Sequence, residues 1–306
     1  GGSLGSRSRL ERQGVYPETA GKFGTYGNDE NKGFNARKAL VAGSRTFALS
    51  APIMCDFLNS INYLGPGNKL SLKLTRASDQ NVLMCAAGSN FKLIITDIYI
   101  ECTRITAEIA PPQLETHYYP QMEILKFPMA AATTNISLKV QGGDRLPRHL
   151  ILFFVKTAAV NGDYAKNMFE FEHLKLTSLN VRSNGCSYPS EPLKPDFENK
   201  KVTRTLMHMF QNSGYDWGGK TGLIDRAQFL DGYTVFPFDL SPDKCDGTHI
   251  HEMPVGVLEI EAKCSGMTAA TTAFVLMTYD VELAIMRDHG GAHTTSYMVA
   301  PKKNKP

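Results

Sequence analysis

The six cysteines (Cys55, Cys85, Cys102, Cys186, Cys245 and Cys264) include no CxxC pair. Scattered cysteines with apolar neighbours do not form a disulfide framework, and they are read as free thiols in a reducing compartment. Long apolar runs are also missing, so no membrane span is expected, and no secretory-type segment opens the sequence. An excess of one charge is missing as well: 33 basic and 30 acidic residues leave a net charge of +3. Nucleic acid is therefore not expected as the main partner. Tryptophan occurs once, at Trp217. Gly1-Gly2 carries no initiator methionine, so the chain reads either as a product of processing or as an expressed piece.

What is present is ordinary globular composition, with 42% hydrophobic and 21% charged residues over 306 positions. That length suggests about two domains at roughly 150 residues each. Residues 1–44 show little apolar periodicity and read as an arm or loop, with seven basic residues (Arg7, Arg9, Arg12, Lys22, Lys32, Arg37, Lys38) against four acids. Beyond residue 45 the pattern is β. Residues 46–57 are strand-like, Leu70, Leu72 and Leu74 alternate with polar neighbours, and 91–102 reads as a long strand. Ala110-Pro111-Pro112 marks a linker. After it, strands are expected over 122–129, 136–140, 233–240, 258–264 and 273–286.

The centre of the chain is 146–199. Residues 150–155 are a short apolar run that ends before an Asn161-Gly162 turn, as expected for a strand buried on both faces. The next strand places Leu174 and Leu176 on one face, then slips one residue so that Leu179 and Val181 continue it. A β-bulge at Thr177-Ser178 is expected there, and the two strands are expected to pair. One helix is predicted over 201–211, where Val202, Leu206, Met209 and Phe210 form a single apolar stripe. An internal repeat relates Leu70, Leu72 and Leu74 to Leu258, Ile260 and Ala262 at an offset of 188 (258 − 70), and 91–101 resembles 273–284. Short strands, frequent turns and a repeat point to an all-β fold with two sandwiches on one plan.

Candidate chemical sites are weak. Residues 214–221, GYDWGGKT, fit GxxxxGK[ST] and would place Lys220 on a phosphate, but the segment before them is a helix rather than a strand. A flexible glycine-rich loop is the better reading, with nucleotide binding as the alternative. Cys245, His249, His251 and Glu252 are metal-ligand types at a spacing that no standard zinc site uses. Asn135-Ile136-Ser137 is a sequon set in a strand. No Ser/His/Asp or Cys/His arrangement can be assembled. No enzyme activity, cofactor or metal is expected.

The segments NGDYAKNMFEFEHLKLTSLNV, PLKPDFENKKVTR and FLDGYTVFPFDLSPD resemble the C-terminal half of double jelly-roll major capsid proteins of Polinton-like, adinto-like and virophage-like DNA viruses. NKLSLKLTRASDQNVLMC and NFKLIITDIYIE resemble the end of the first jelly roll in that family. The likeness runs from about residue 45 to 288. It implies an all-β double jelly roll whose second unit is complete, with only the closing strands of the first present. The implied layout is an arm (1–44), first-unit strands (45–112), a second jelly roll with one inserted helix (113–290) and a basic flexible tail (291–306). It also implies a hexon-like homotrimer in an icosahedral shell, with penton and minor capsid proteins as partners, located in the virion and assembled inside the host cell. The missing strands are expected from an upstream fragment, separated by a protease that cuts near Gly-Gly in related viruses, or from a partner chain. Trp217 is the candidate intersubunit contact, since aromatics dominate interface energetics. A free receptor- or carbohydrate-binding jelly-roll oligomer is the other reading.

Overall fold

The computed structural model describes residues 4–27, 30–59, 62–66, 68–106, 114–141, 145–213, 224–241, 253–287 and 294–299. Nine strands are described: β1 (Leu114–Met129), β2 (Asn135–Gln141), β3 (His149–Lys156), β4 (Leu176–Ser183), β5 (Cys186–Leu193), β6 (Val235–Asp239), β7 (Val257–Cys264), β8 (Thr271–Arg287) and β9 (Thr294–Val299). One antiparallel sheet has the order β1-β8-β3-β6, with β9 also beside β8, and the other has the order β2-β7-β4-β5. Successive strands thus leave one sheet for the other again and again, wrapping eight strands into a jelly roll. The fold is all-β with few helices, as the sequence indicated.

Each sheet buries one face because its strands alternate. Leu258, Ile260, Ala262 and Cys264 of β7 face the core, while Glu261 and Lys263 between them are exposed. Leu150, Leu152 and Phe154 of β3, Leu179 and Val181 of β4, and Phe236 and Phe238 of β6 join the same core. Each such side chain, fully buried, is worth about 1.5–3 kcal/mol of transfer free energy. The register of β4 against β7 shifts between Leu176 and Ser178, which is the bulge the slipped hydrophobic phase predicts. The strand prolines are Pro120 and Pro128 in β1, Pro189 and Pro192 in β5, and Pro237 in β6, and all three strands lie at sheet edges. An edge strand can lose an N–H without breaking a ladder that is bonded on both sides.

Four expectations need correction. The two central strands do not pair: β3 lies between β8 and β6, and β4 between β7 and β5, so they face each other across the core. Residues between strands can cross the sandwich, and local pattern does not reveal which sheet receives the next strand. Second, the N-terminal arm is not all loop. It contains α1 (Leu4–Arg12) and α2 (Lys32–Val41), the latter capped by the Asn31 side chain, which accepts from the Phe34 N–H. Third, the stretch read as a flexible tail includes β9, paired with β8 from Glu282↔Val299 to Arg287↔Thr294. Fourth, the strands read within 46–57, 70–75 and 91–102 form no ladder among the described residues. There a short helix α3 (Asp79–Val82) is the main regular element.

The remaining helices are short except one. α4 (Thr157–Val160) leads into the turn where Gly162 has φ +91°. α5 (Thr203–Asn212) is the predicted helix; Met209 is buried, and α5 packs against β6. The Asp239 N–H donates to Asn212 Oδ1 at 2.9 Å, tying the end of α5 to β6. α6 (Arg226–Leu230) starts with a reciprocal capping box between Asp225 and Gln228.

Candidate assembly surface

β3 pairs with β8 only from Thr271 to Thr278, whereas β1 runs beside β8 from Thr271 to Met286. The far halves of β1 and β8 therefore project beyond the sandwich as a ribbon, with β9 along its other edge. On one side of this ribbon Glu115 and His117 are buried, His117 completely. His117 Nε2 lies 2.6 Å from Glu115 Oε1, and that oxygen also accepts the Gly65 N–H at 2.7 Å. Glu115 Oε2 accepts from Asn68 Nδ2 at 3.3 Å, and Asn62 Nδ2 donates to the Thr116 carbonyl at 2.8 Å. Phe57 stands edge-on to His117 and Tyr119, with ring centroids 5.1 and 5.7 Å away. Burial pushes the Tyr119 hydroxyl pKa up, and Asp56 and Cys55 add to the effect. This clasp fastens Phe57, Asn62, Gly65 and Asn68 to the second unit. At the base of the ribbon Arg148 Nε lies 3.3 Å from Asp280 Oδ1.

Residues 91–106 behave differently. Their start is anchored: the Leu93 N–H donates to Asp79 Oδ1 at 3.0 Å, and the Leu93 carbonyl accepts from Arg76 Nη2 at 2.8 Å. The Leu93 amide, helped by Arg76, holds the Asp79 carboxyl below its usual pKa. Tyr164 Oη donates to the Phe91 carbonyl at 3.0 Å. Beyond these contacts the apolar side chains are in the open. Ile94 is 79% exposed and Tyr99 76%, and Phe91, Ile95, Ile98 and Ile105 are each more than half exposed. Leu70 and Leu74 are equally uncovered. Monomeric proteins rarely leave large apolar patches in water, so this stretch is a candidate contact surface.

A shallow groove of about 370 Å³ crosses the outer face of the second sheet, lined by Ser137, Asn180, Arg182, Glu261 and Lys263 among others. Arg182 and Glu261 pair across it at 3.5 Å. No group of three or more His, Cys, Asp or Glu side chains among the described residues could hold a metal. No helix among them is long and apolar enough to cross a membrane. Trp217, the 214–221 loop with Lys220, and Cys245, His249, His251 and Glu252 lie outside the described residues. The five described cysteines are free, with Cys264 buried. Sequence reasoning missed the Glu115–His117 clasp. Alternation of buried charge in Glu-Thr-His at the start of a strand was its one local signal.

Comparison with known proteins adds a family. Residues 116–282 match the model of the double jelly roll-like domain. The uncharacterized protein F54H12.2 of Caenorhabditis elegans is 26% identical over 234 residues, covering 71% of this chain and 54% of the worm protein. The chain thus spans about half the length of that relative. Among solved structures, PBCV-1 VP54 fitted into a reconstruction of the virophage Sputnik aligns over 62% of this chain and 52% of its own, at 11% identity and a TM-score of 0.37. The Sputnik virophage cryo-EM structure aligns over 62% and 40%, at 15% identity and a TM-score of 0.34. The family match covers more than half of the chain and falls on the strands that wrap as a jelly roll, so the chain belongs to the double jelly roll-like domain family.

Proposed function

We propose that the chain is a non-enzymatic structural subunit of a viral capsid, the greater part of a hexon-like double jelly-roll protein. The observation that carries this reading is a complete jelly roll joined to an apolar stretch that has no ladder partner among the described residues. The internal repeat assigns that stretch a place. Leu70, Leu72 and Leu74 correspond to β7, which in the complete unit is bonded on both sides by β2 and β4. Residues 91–101 correspond to β8, bonded on both sides by β1 and β3. By that correspondence, 45–112 supply the closing strands of a first jelly roll, and an upstream fragment supplies their neighbours.

Three such double units form a six-cornered block that tiles an icosahedral shell in the virion, with penton and minor capsid proteins at special positions. Assembly takes place inside the host cell. Broad lateral faces and hidden edges suit a jelly roll to this role, and Trp217 is the candidate intersubunit anchor.

Mass spectrometry and light scattering on capsomers released from native particles test the proposal. The expected result is a trimer containing a stoichiometric fragment encoded immediately upstream. A stable monomer made of this chain alone, with a closed first barrel, rules the proposal out.

A further inference from the structure

Phe23 belongs to the arm, far from the jelly roll in sequence, yet its side chain is fully buried. It stands edge-on to Tyr233, with centroids 4.3 Å apart and planes at 85°. The floor of its socket is Gly232, at φ +115°, where an added Cβ would lie 2.1 Å from the ring. Backbone and side chains hold the arm on either side of the ring. The Gly21 N–H donates to the Asp231 carbonyl at 3.2 Å, Asn167 Nδ2 donates to the Phe23 carbonyl at 3.0 Å, and Gln228 Nε2 donates to the Glu18 carbonyl at 3.1 Å.

Gly21 and Gly24 bracket Lys22-Phe23, and each lies against a carboxylate. A Cβ on Gly21 would meet Asp231 Oδ2 at 2.7 Å, and one on Gly24 would sit 3.6 Å from Glu170 Oε2. The Gly-Lys-Phe-Gly run thus lays bare backbone over two acids and drives one aromatic ring between them. Such a contact, made by one aromatic ring and a few hydrogen bonds to an otherwise complete domain, has the form of a docked peptide rather than of core packing.

We propose that this socket is a releasable docking site for the chain's own arm, anchored by Phe23 and tightened by proton uptake at Glu170. The charged groups around Glu170 are Lys156 of β3, Glu172 on its own segment and Asp231 before β6. Lys156 Nζ is 3.6 Å from Glu170 and 2.6 Å from Glu172, so the lysine is shared. On the arm side the charges are already paired, Glu18 with Arg37 and Lys22 with Glu30. Burial pushes the Glu170 carboxyl up from its usual 4.5; Lys156 opposes this, and Glu172 and Asp231 add to it.

Gly24 lies against the Glu170 carboxylate in the docked state, so docking adds to the burial that raises this carboxyl, and the docked state takes up a proton more readily than the released one. Docking is therefore favoured at acidic pH and weakens as pH rises from about 4.5 through the raised value. Each pKa unit that docking adds is tenfold in the docking equilibrium.

Hydrogen exchange on the whole chain, corrected for intrinsic rates and read at pH 5 and pH 8, tests this. In the wild type the Gly21 amide should be several-fold better protected at pH 5, while β7 amides do not change. Glu170→Gln should protect the arm equally at both pH values. Phe23→Ala should expose it at both while β7 stays protected, which separates release from unfolding. Equal arm protection at both pH values in the wild type, or a pH response that survives Glu170→Gln, overturns proton control. Arm protection that survives Phe23→Ala overturns the docking site itself.

Discussion

Glu115 shows how one buried side chain is constrained by everything around it. Its two carboxylate oxygens receive the Gly65 amide, the Asn68 side chain and His117, all within 3.3 Å. A buried hydrogen-bonded carboxylate adds little net stability, but removing it leaves its buried donors without partners or water. Glu115→Ala is therefore expected to cost about 1–3 kcal/mol or more for the groups left unsatisfied, seen as a lower urea midpoint. Substituting Lys139, which is exposed and pairs with Glu259 at 3.4 Å, should cost less than about 1 kcal/mol. Equal losses at the two sites would show that the clasp is not holding Phe57, Asn62, Gly65 and Asn68 in place.

Among the elements, β8 carries the largest share of the architecture. Over Thr271–Thr278 it is bonded on one side to β1 and on the other to β3, and Val275 sits opposite both Leu125 and Leu152. Proline there would remove a ladder N–H and force the strand out of line, whereas the five strand prolines that occur naturally all lie in β1, β5 and β6 at the edges. Val275→Pro is expected to lose about 3 kcal/mol or more, enough to abolish a cooperative thermal transition by circular dichroism. The position of a proline along the sequence was therefore already a statement about which strands are edges. The bulge in β4 was legible for a similar reason: a strand with one buried face has a period of two, and any slip in that period has to be absorbed by an extra residue.

At the scale of the whole molecule, the described structure divides into a closed jelly roll and a stretch whose apolar side chains have found no cover. Ile94 and Ile98 are the most direct probes, being 79% and 64% exposed. Replacing both with lysine should leave the thermal midpoint of this chain unchanged, since surface changes away from special features stay within about ±0.5 kcal/mol. The same pair should reduce binding of an apolar fluorescent dye, which reads the exposed apolar surface directly. A large drop in the midpoint instead would mean that these residues already pack within the chain.

The sequence by itself determined what depends on near neighbours. Alternation set the faces of β2 and β7, the slipped phase placed the bulge at Thr177-Ser178, and an apolar stripe marked the helix that became α5. These are periodicities of two and of 3.6, and burial on one side is enough to impose them. Tertiary structure alone decided which strands meet. β3 and β4 were adjacent in the chain and looked like partners, yet they lie in opposite sheets because each completes a ladder with strands from much later in the sequence. The same holds for Phe23, whose neighbours read as loop, and for Glu115 and His117, whose partners lie about fifty residues away. Such contacts depend on loop closure and on shape, and neither leaves a period in the local sequence.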